Sequence, residues 1–216
     1  MVRMRIGGCW TVLLAAALLA SGCAHGSAER SDVAATPSAT PDWRSMATAA
    51  DRDRLRNWRT AWMAALAAAR VVNPKEVAAQ GELFDPDLAL PGSPPPPGDY
   101  RCRVFKLGTG RAATPGYVAY PFFDCRIEQE GDVLSFYKRT GSQRPVGLIL
   151  PDSEVRGIFL GTLMLSDETA PLDYGRDTTR DMAGRVERVA EGRWRIALPY
   201  PRFESTLDVI ELVPAG

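Results

Sequence analysis

The sequence predicts an α+β fold that is mainly β, namely an eight-stranded antiparallel β-barrel or strongly curved sandwich preceded by an amphipathic helix. Two observations predict it. After residue 99 the chain reads as eight short apolar segments separated by turn residues. Before that, large apolar residues recur at helical spacing between residues 42 and 70. Eight strands enclose either a filled core or one small ligand.

The N-terminus has the order of residues found in a secretory signal peptide. Two arginines precede an apolar run at residues 10–20, and small residues follow that run. The run is too short for a membrane-spanning helix, which needs about 20 apolar residues. Residues 1–22 are therefore predicted to be removed during export.

Residues 19–23 resemble the lipobox of bacterial lipoproteins. The resemblance implies that Cys23 is acylated and attaches the chain to a membrane. Because Ala24 rather than aspartate follows, the pattern implies the outer membrane, with the protein facing the periplasm. The alternative is cleavage by the general signal peptidase at residues 22–24, without lipidation.

Two segments have the composition of linkers. Residues 23–41 are rich in Ala, Ser and Thr and poor in large apolar side chains, so we predict a flexible leash there. Residues 81–98 contain the proline run 94–97, which favours extended geometry and provides no ladder hydrogen bonds. We interpret residues 81–98 as a stiff Pro-rich connector, with a docking motif as the alternative.

The segment between these linkers, residues 42–80, is predicted to be helical. Its large apolar side chains follow spacings of three, four and four, at Leu55, Trp58, Trp62 and Leu66. We expect an amphipathic helix over residues 42–70 that stops near Asn73-Pro74, with a short second helix after it. The tryptophan stripe is predicted to lie in the core, and a membrane-binding or partner-binding face is the alternative.

Residues 99–216 are predicted to form the barrel. Its strands are expected at residues 100–107, 120–128, 133–138, 145–150, 156–165, 183–189, 194–198 and 207–212. We expect the first two strands to pair with Cys102 opposite Cys125. In that arrangement Tyr100 and the other apolar residues of these two strands lie on one face of the sheet. In this register Val104 meets Phe123, and the apolar face points inward.

The cysteine count agrees with an oxidising compartment. Cys9 leaves with the signal peptide and Cys23 is the acylation candidate, so Cys102 and Cys125 remain as a pair. A disulfide between them would contribute about 3 kcal/mol by closing a loop. A metal site is the alternative, but no histidine lies nearby to complete the ligands. We expect no metal and no cofactor.

Charge and composition exclude several partner classes. The chain has 26 basic and 26 acidic residues, so it has no basic field to attract nucleic acid, and no nucleic acid partner is expected. Arginine outnumbers lysine 23 to 3. This ratio indicates either a GC-rich genome or recognition of carboxylates and phosphates by guanidinium groups.

The catalytic chemistry open to the chain is limited. Its single histidine, His25, lies in the predicted leash, which excludes Ser-His-Asp sites, Cys-His sites and His-rich zinc sites. No Walker loop, dinucleotide fingerprint or nucleophile elbow is present. Carboxylates of residues 167–181 remain as candidates for hydrolysis or calcium binding. Ion pairing with neighbouring arginines is the alternative role for them.

Two loops are candidates for a ligand-binding rim. Strands that alternate up and down place residues 140–145 and the long loop at 167–181 at the same mouth of the barrel. Their polar side chains are predicted to form either a ligand-binding rim or a salt-bridged lid. The candidate rim residues are Ser142, Gln143, Arg144, Asp173, Tyr174, Asp177, Arg180 and Asp181.

Several short motifs carry a family resemblance. They stand at residues 99–103, 106–108, 125–126, 140–145, 159–161, 174–175, 180–181 and 203–205. In this order they resemble a family of bacterial envelope proteins known only as a domain of unknown function, over residues 42–213. The resemblance implies no activity. By strand pattern alone, the β domain is also similar to lipocalin-type and small protease-inhibitor barrels.

The sequence favours a non-enzymatic, lipid-anchored periplasmic domain. In this hypothesis the barrel holds a small apolar ligand or an envelope protein partner, and the tryptophan-bearing helix packs on the barrel or plugs it. One alternative is an envelope hydrolase that uses a carboxylate pair from residues 167–181. The other is a structural or assembly lipoprotein with an exposed apolar patch.

Overall fold

The computed structural model shows a closed barrel of eight antiparallel strands, which confirms the predicted fold. Each strand pairs with the next along the chain, and the last strand closes on the first. The strands are β1 (Gly98–Leu107), β2 (Tyr117–Glu130), β3 (Val133–Lys138), β4 (Gln143–Ser153), β5 (Arg156–Leu165), β6 (Asp181–Ala190), β7 (Arg193–Pro199) and β8 (Leu207–Pro214).

The structure describes residues 41–109 and 116–216. The predicted signal peptide, the predicted lipidation of Cys23 and nearly all of the predicted leash fall in residues 1–40, outside the described residues. Within the described ranges, no helix is long and apolar enough to cross a membrane.

Side chains from alternate positions of the strands fill the barrel interior. Phe136 and Phe159 are fully buried and form a T-shaped pair with ring centroids 5.9 Å apart. Gly147 and Gly161 face each other across β4 and β5. A β carbon would lie 2.3 Å from a backbone oxygen at Gly147 and 2.2 Å from one at Gly161. Such a close approach of two strands is compatible only with glycine.

The predicted disulfide between Cys102 and Cys125 is present, with Cα atoms 5.8 Å apart. The predicted register of the two strands was wrong by two residues, because Cys102 pairs with Phe123, and Tyr100 pairs with Cys125. Side chains alternate with a period of two, so the apolar pattern identifies the inward face but does not distinguish shifts of two. The bridge therefore joins diagonal neighbours on the inner face.

The helix predicted over residues 42–70 is interrupted twice. The structure has α1 (Trp43–Met46), α2 (Ala49–Arg56) and α3 (Trp58–Val72), followed by α4 (Pro74–Ala79) and a 3₁₀ turn at Gly81–Phe84. A new helix begins after Thr48, because its side chain accepts a hydrogen bond from the backbone N–H of Asp51. As predicted, α3 ends at Asn73, and Pro74 begins a short helix.

The tryptophan stripe packs against the outer wall of the barrel, which confirms its interpretation as core. Trp62 and Leu66 of α3 are buried in one apolar cluster with Phe105 of β1 and Val209 of β8. Val209 alternates with Ile210, which belongs to the interior core. The barrel wall therefore carries an apolar cluster on each side.

A buried charge cluster fastens the segment 81–90 to the barrel. Arg195 of β7 is fully buried, and its guanidinium donates to the Glu187 carboxylate of β6 at 2.7 Å. Arg185 forms a second ion pair with Glu187 at 2.6 Å. The Arg195 guanidinium also lies 4.5 Å from the Trp62 ring centroid. It further donates to four backbone carbonyl oxygens, those of Glu82 (3.4 Å), Leu83 (3.0 Å), Asp85 (2.6 Å) and Leu88 (2.8 Å).

Candidate functional site

A cavity of about 210 Å³ lies at one mouth of the barrel. Inward-facing side chains of the strands form its floor, and residues of the β3–β4, β5–β6 and β7–β8 loops form its rim. Tyr120 and Phe203 on the rim are exposed, so solvent reaches the opening. The apolar lining consists of Val104, Phe123, Pro145, Leu163, Met182, Leu198 and Ile210.

Two lysines interrupt this apolar lining. Lys106 is the next inward-facing residue of β1 after Val104. Lys138 is the next inward-facing residue of β3 after Phe136. Lys106 is 8% exposed and Lys138 is 4% exposed. A buried ammonium group is costly unless it is hydrogen-bonded or paired, so the partners of each lysine define the polar end of the cavity.

Lys106 is held by two carboxylates. Its Nζ lies 3.0 Å from Glu204 Oε2 and 3.3 Å from Asp208 Oδ2. Although burial acts in the opposite direction, these carboxylates raise the pKa of Lys106 above its ordinary value. Burial raises the pKa of Asp208, and the Ser205 hydroxyl donates a hydrogen bond to its Oδ1. Lys106 is therefore a fixed cation.

Within the part of the chain that the structure describes, Lys138 has no comparable ion pair. Its Nζ donates to the backbone carbonyl oxygens of Thr140 at 2.6 Å and Gln143 at 3.0 Å. The ring centroid of Phe123 lies 3.5 Å from the same nitrogen. Among residues 41–109 and 116–216, no carboxylate lies within ion-pair distance of Lys138. Backbone oxygens and an aromatic face thus surround this amine.

The two lysines consequently differ in protonation. Burial lowers the pKa of Lys138 to about 8, and the positive charges of Arg144 and Lys106 act in the same direction. The cavity therefore combines a permanently charged lysine with one that titrates near neutral pH.

The β3–β4 turn contributes two of the predicted rim residues to the cavity. Ser142 and Gln143 line it, and the Gln143 side-chain amide donates to Glu204 at 3.4 Å. Arg144 is not among the lining residues, because the alternation along β4 turns it outward. Its Nη2 donates to the backbone carbonyl of Glu168 at 2.6 Å. This bond connects the turn to the long β5–β6 loop.

The β5–β6 loop and the start of β6 contribute Arg180 and Asp181 to the lining. The Arg180 guanidinium lies 2.5 Å from Glu168 Oε1 and 3.8 Å from Asp177 Oδ2. Asp177 is not itself a lining residue but contacts two of them, Thr179 and Arg180. It accepts hydrogen bonds from the hydroxyl and the backbone N–H of Thr179, which lower its pKa. These contacts hold the loop in place.

The other predicted rim residues lie outside the cavity. Asp173 is exposed. The Tyr174 hydroxyl donates to Asp51 of α2 at 2.5 Å and accepts from the backbone N–H of Thr48 at 3.1 Å. Burial and the bond to Asp51 raise the pKa of Tyr174. Tyr174 therefore fastens α2 to the barrel instead of facing the cavity.

The carboxylates of residues 167–181 favour the structural interpretation of this segment. Glu168 and Asp177 are paired with Arg180, and Asp181 accepts a hydrogen bond from a backbone N–H of the same loop at 2.9 Å. Glu168 and Asp177 therefore take the ion-paired role. Asp181 is buried in the cavity lining, and burial raises its pKa. Within the described ranges, no group of three or more His, Cys, Asp or Glu side chains is placed to hold a metal ion.

Sequence analysis did not identify the buried charged residues of the cavity. Lys106, Lys138, Glu204 and Asp208 were not among the candidate residues. The signal was nevertheless present, because the inward alternation of β1 and β3 extends by one more step to each lysine. A lysine at an inward position indicates either a buried partner or a functional cavity.

Comparison with known proteins found one family match. Residues 43–212 match the family model of a domain of unknown function, DUF4893. The matched segment begins in α1 and ends within β8, so it covers the helices together with the barrel. No curated protein matches the chain, and no solved structure matches it. The match confirms the resemblance to a domain of unknown function, whereas the envelope location stays a prediction.

Proposed function

The chain belongs to the family of the domain of unknown function DUF4893, and we propose that its barrel is a binding domain for one small, mainly apolar ligand. The observation that carries the proposal is the cavity at the barrel mouth, with its apolar walls and two buried lysines. Concave apolar sites with a few polar groups are typical of ligand-binding pockets.

The size of the cavity limits the ligand. An engineered protein cavity of about 150 Å³ binds benzene. A cavity of about 210 Å³ therefore suits a molecule of about eight non-hydrogen atoms. Because the apolar and polar groups converge inside a cavity, a small ligand accounts for them better than a protein partner does.

Val104→Phe is expected to weaken binding of benzyl alcohol at least about tenfold, because the added ring occupies space in the cavity. The matched control is Val133→Phe. Val133 is also partly buried, but it packs in a separate cluster with Leu150 and Ile158. Isothermal titration calorimetry on the full chain measures both variants.

The calorimetric comparison has two informative outcomes. The proposal requires that Val133→Phe binds benzyl alcohol with wild-type affinity while Val104→Phe does not. Equal affinities for the wild type and Val104→Phe would show that any binding takes place elsewhere, and the proposed site would then be abandoned.

We also propose that the protein is exported and lipid-anchored at Cys23 to the outer membrane, facing the periplasm. The lipobox-like pattern at residues 19–23 supports the anchor. The disulfide between Cys102 and Cys125 supports an oxidising compartment, because such bonds persist mainly outside the cytosol. A binding domain on a leash of this kind would sample ligand close to a membrane surface.

Cys23→Ser is expected to abolish incorporation of radiolabelled palmitate and to release the protein from the membrane fraction. The control is Cys9→Ser, which lies within the predicted signal peptide and leaves labelling intact. Undiminished palmitate incorporation in Cys23→Ser, or an unlabelled wild-type protein, would refute the anchor.

A further inference from the structure

The distribution of lysines in this chain is uneven. The chain has 23 arginines and only three lysines, Lys75, Lys106 and Lys138. Two of these three lysines line the cavity, whereas Lys75 is exposed on α4. A guanidinium group stays protonated in proteins, but a buried lysine amine readily loses its proton. The cavity thus contains two of the three lysines, beside the guanidinium groups of Arg180 and Arg202.

Lys138 is the amine with nucleophilic character. Two carboxylates keep Lys106 charged, but the partners of Lys138 Nζ are the carbonyl oxygens of Thr140 and Gln143. These two acceptors match the two N–H bonds of a neutral amine and leave its lone pair unused, although the Phe123 ring 3.5 Å from Nζ also favours the charged form. With a pKa of about 8, about a tenth of the Lys138 side chains carry a neutral amine at pH 7.

The polar end of the cavity suits a neutral group on the ligand. With Lys138 neutral, the lining has three cationic side chains and three carboxylates, namely Lys106, Arg180 and Arg202 against Asp181, Glu204 and Asp208. A ligand therefore needs no charge of its own to balance the lysines. A carbonyl group has the required polarity without charge, and its carbon is the atom that an amine attacks.

We propose that Lys138 binds aldehyde or ketone ligands covalently, as an imine formed between its Nζ and the carbonyl carbon of a small apolar molecule seated in the cavity. This inference rests on the proposed function and names the chemical class of the ligand. The apolar walls at Val104, Leu163 and Ile210 hold the hydrocarbon body, and the carbonyl end reaches Lys138.

The reaction balances without any further reactant. The Nζ lone pair forms the C–N bond, and the π electrons of the carbonyl move to its oxygen. That oxygen takes up the two protons that the amine loses in total, and it leaves as water while the C=N bond forms. The charged Lys106 ammonium lies in the same cavity and favours the negative charge that develops on the oxygen.

The test is reductive trapping of the full-length protein with benzaldehyde and sodium cyanoborohydride, followed by peptide mapping. We expect the benzyl group on Lys138 at a yield at least about ten times that on the exposed Lys75, which serves as the internal reference. An excess of benzyl alcohol, which cannot form an imine, is expected to protect Lys138 and to leave the labelling of Lys75 unchanged.

A variant completes the design. Lys138→Arg keeps a cation at this position but cannot form an imine, so it is expected to lose the cavity label while Lys75 is labelled as in the wild type. Labelling of wild-type Lys138 no greater than that of Lys75, or labelling mainly at Lys106, would overturn the inference. If the wild-type protein still binds benzyl alcohol in that case, the proposed binding function is retained and only the imine at Lys138 is rejected. If benzyl alcohol does not bind either, both proposals fail.

Discussion

Arg195→Met is expected to lower the free energy of unfolding by about 3–5 kcal/mol. The substitution removes the donor to the Glu187 carboxylate, which is only 1% exposed, and to four backbone carbonyl oxygens in the segment 81–90. Buried acceptors that lose their donor keep the full cost of desolvation. Urea denaturation followed by circular dichroism measures the change.

The control for this prediction is Arg56→Met. Arg56 pairs with Asp53 on the surface of α2, and its side chain is 66% exposed. Exposed pairs contribute at most about 1 kcal/mol, so this variant is expected to remain close to the wild type. A loss of stability in Arg195→Met no larger than that in Arg56→Met would contradict the anchoring role of the buried cluster.

The double variant Cys102→Ala/Cys125→Ala is expected to lose about 3 kcal/mol of stability. The disulfide joins residues separated by 23 positions, and it restricts the unfolded chain by closing that loop. Dithiothreitol is expected to lower the stability of the wild type to that of the variant and to leave the variant unchanged. A variant as stable as the oxidised wild type would show that the bridge is not a determinant of stability.

The barrel could be predicted from sequence because a half-buried strand imposes a period of two on its residues. All eight strands were recognised in this way, and their observed bounds extend the predicted ones by a few residues at most. The register of β1 against β2 could not be predicted, since pairing Cys102 with Phe123 or with Cys125 leaves the same faces inward. The pattern determines the face and leaves the exact partner open.

The breaks in the helical segment depend on local interactions that periodicity does not show. The apolar spacing runs through residues 55–66 without a gap, but the cap at Thr48 and the non-helical backbone of Asn57 divide the segment. Both residue types compete with a helix by forming local hydrogen bonds. Candidate caps therefore carry information that the apolar pattern does not contain.

The end of the barrel at which the cavity lies could be predicted from the sequence, but the charged groups inside the cavity could not. Alternating strands place the β3–β4 and β5–β6 loops at one mouth, and Ser142, Gln143 and Arg180 line the cavity there. Tyr174 lies elsewhere because its hydroxyl donates a hydrogen bond to Asp51, far away in sequence. Arg195 likewise is a charged residue at an outward position, and only the packing of the segment 81–90 over it makes it buried. Tertiary partners decide these positions.

The measurement that tests the binding proposal most directly is a methyl NMR titration of the full chain with benzyl alcohol. We expect saturable shifts at the methyl groups of Val104, Leu163 and Ile210, which line the cavity. The methyl groups of Ile158 and Leu160, in the cluster on the opposite side of the barrel wall, are expected to remain unchanged. Saturable shifts confined to Ile158 and Leu160, or no saturable shift at all, would contradict a ligand site at the barrel mouth.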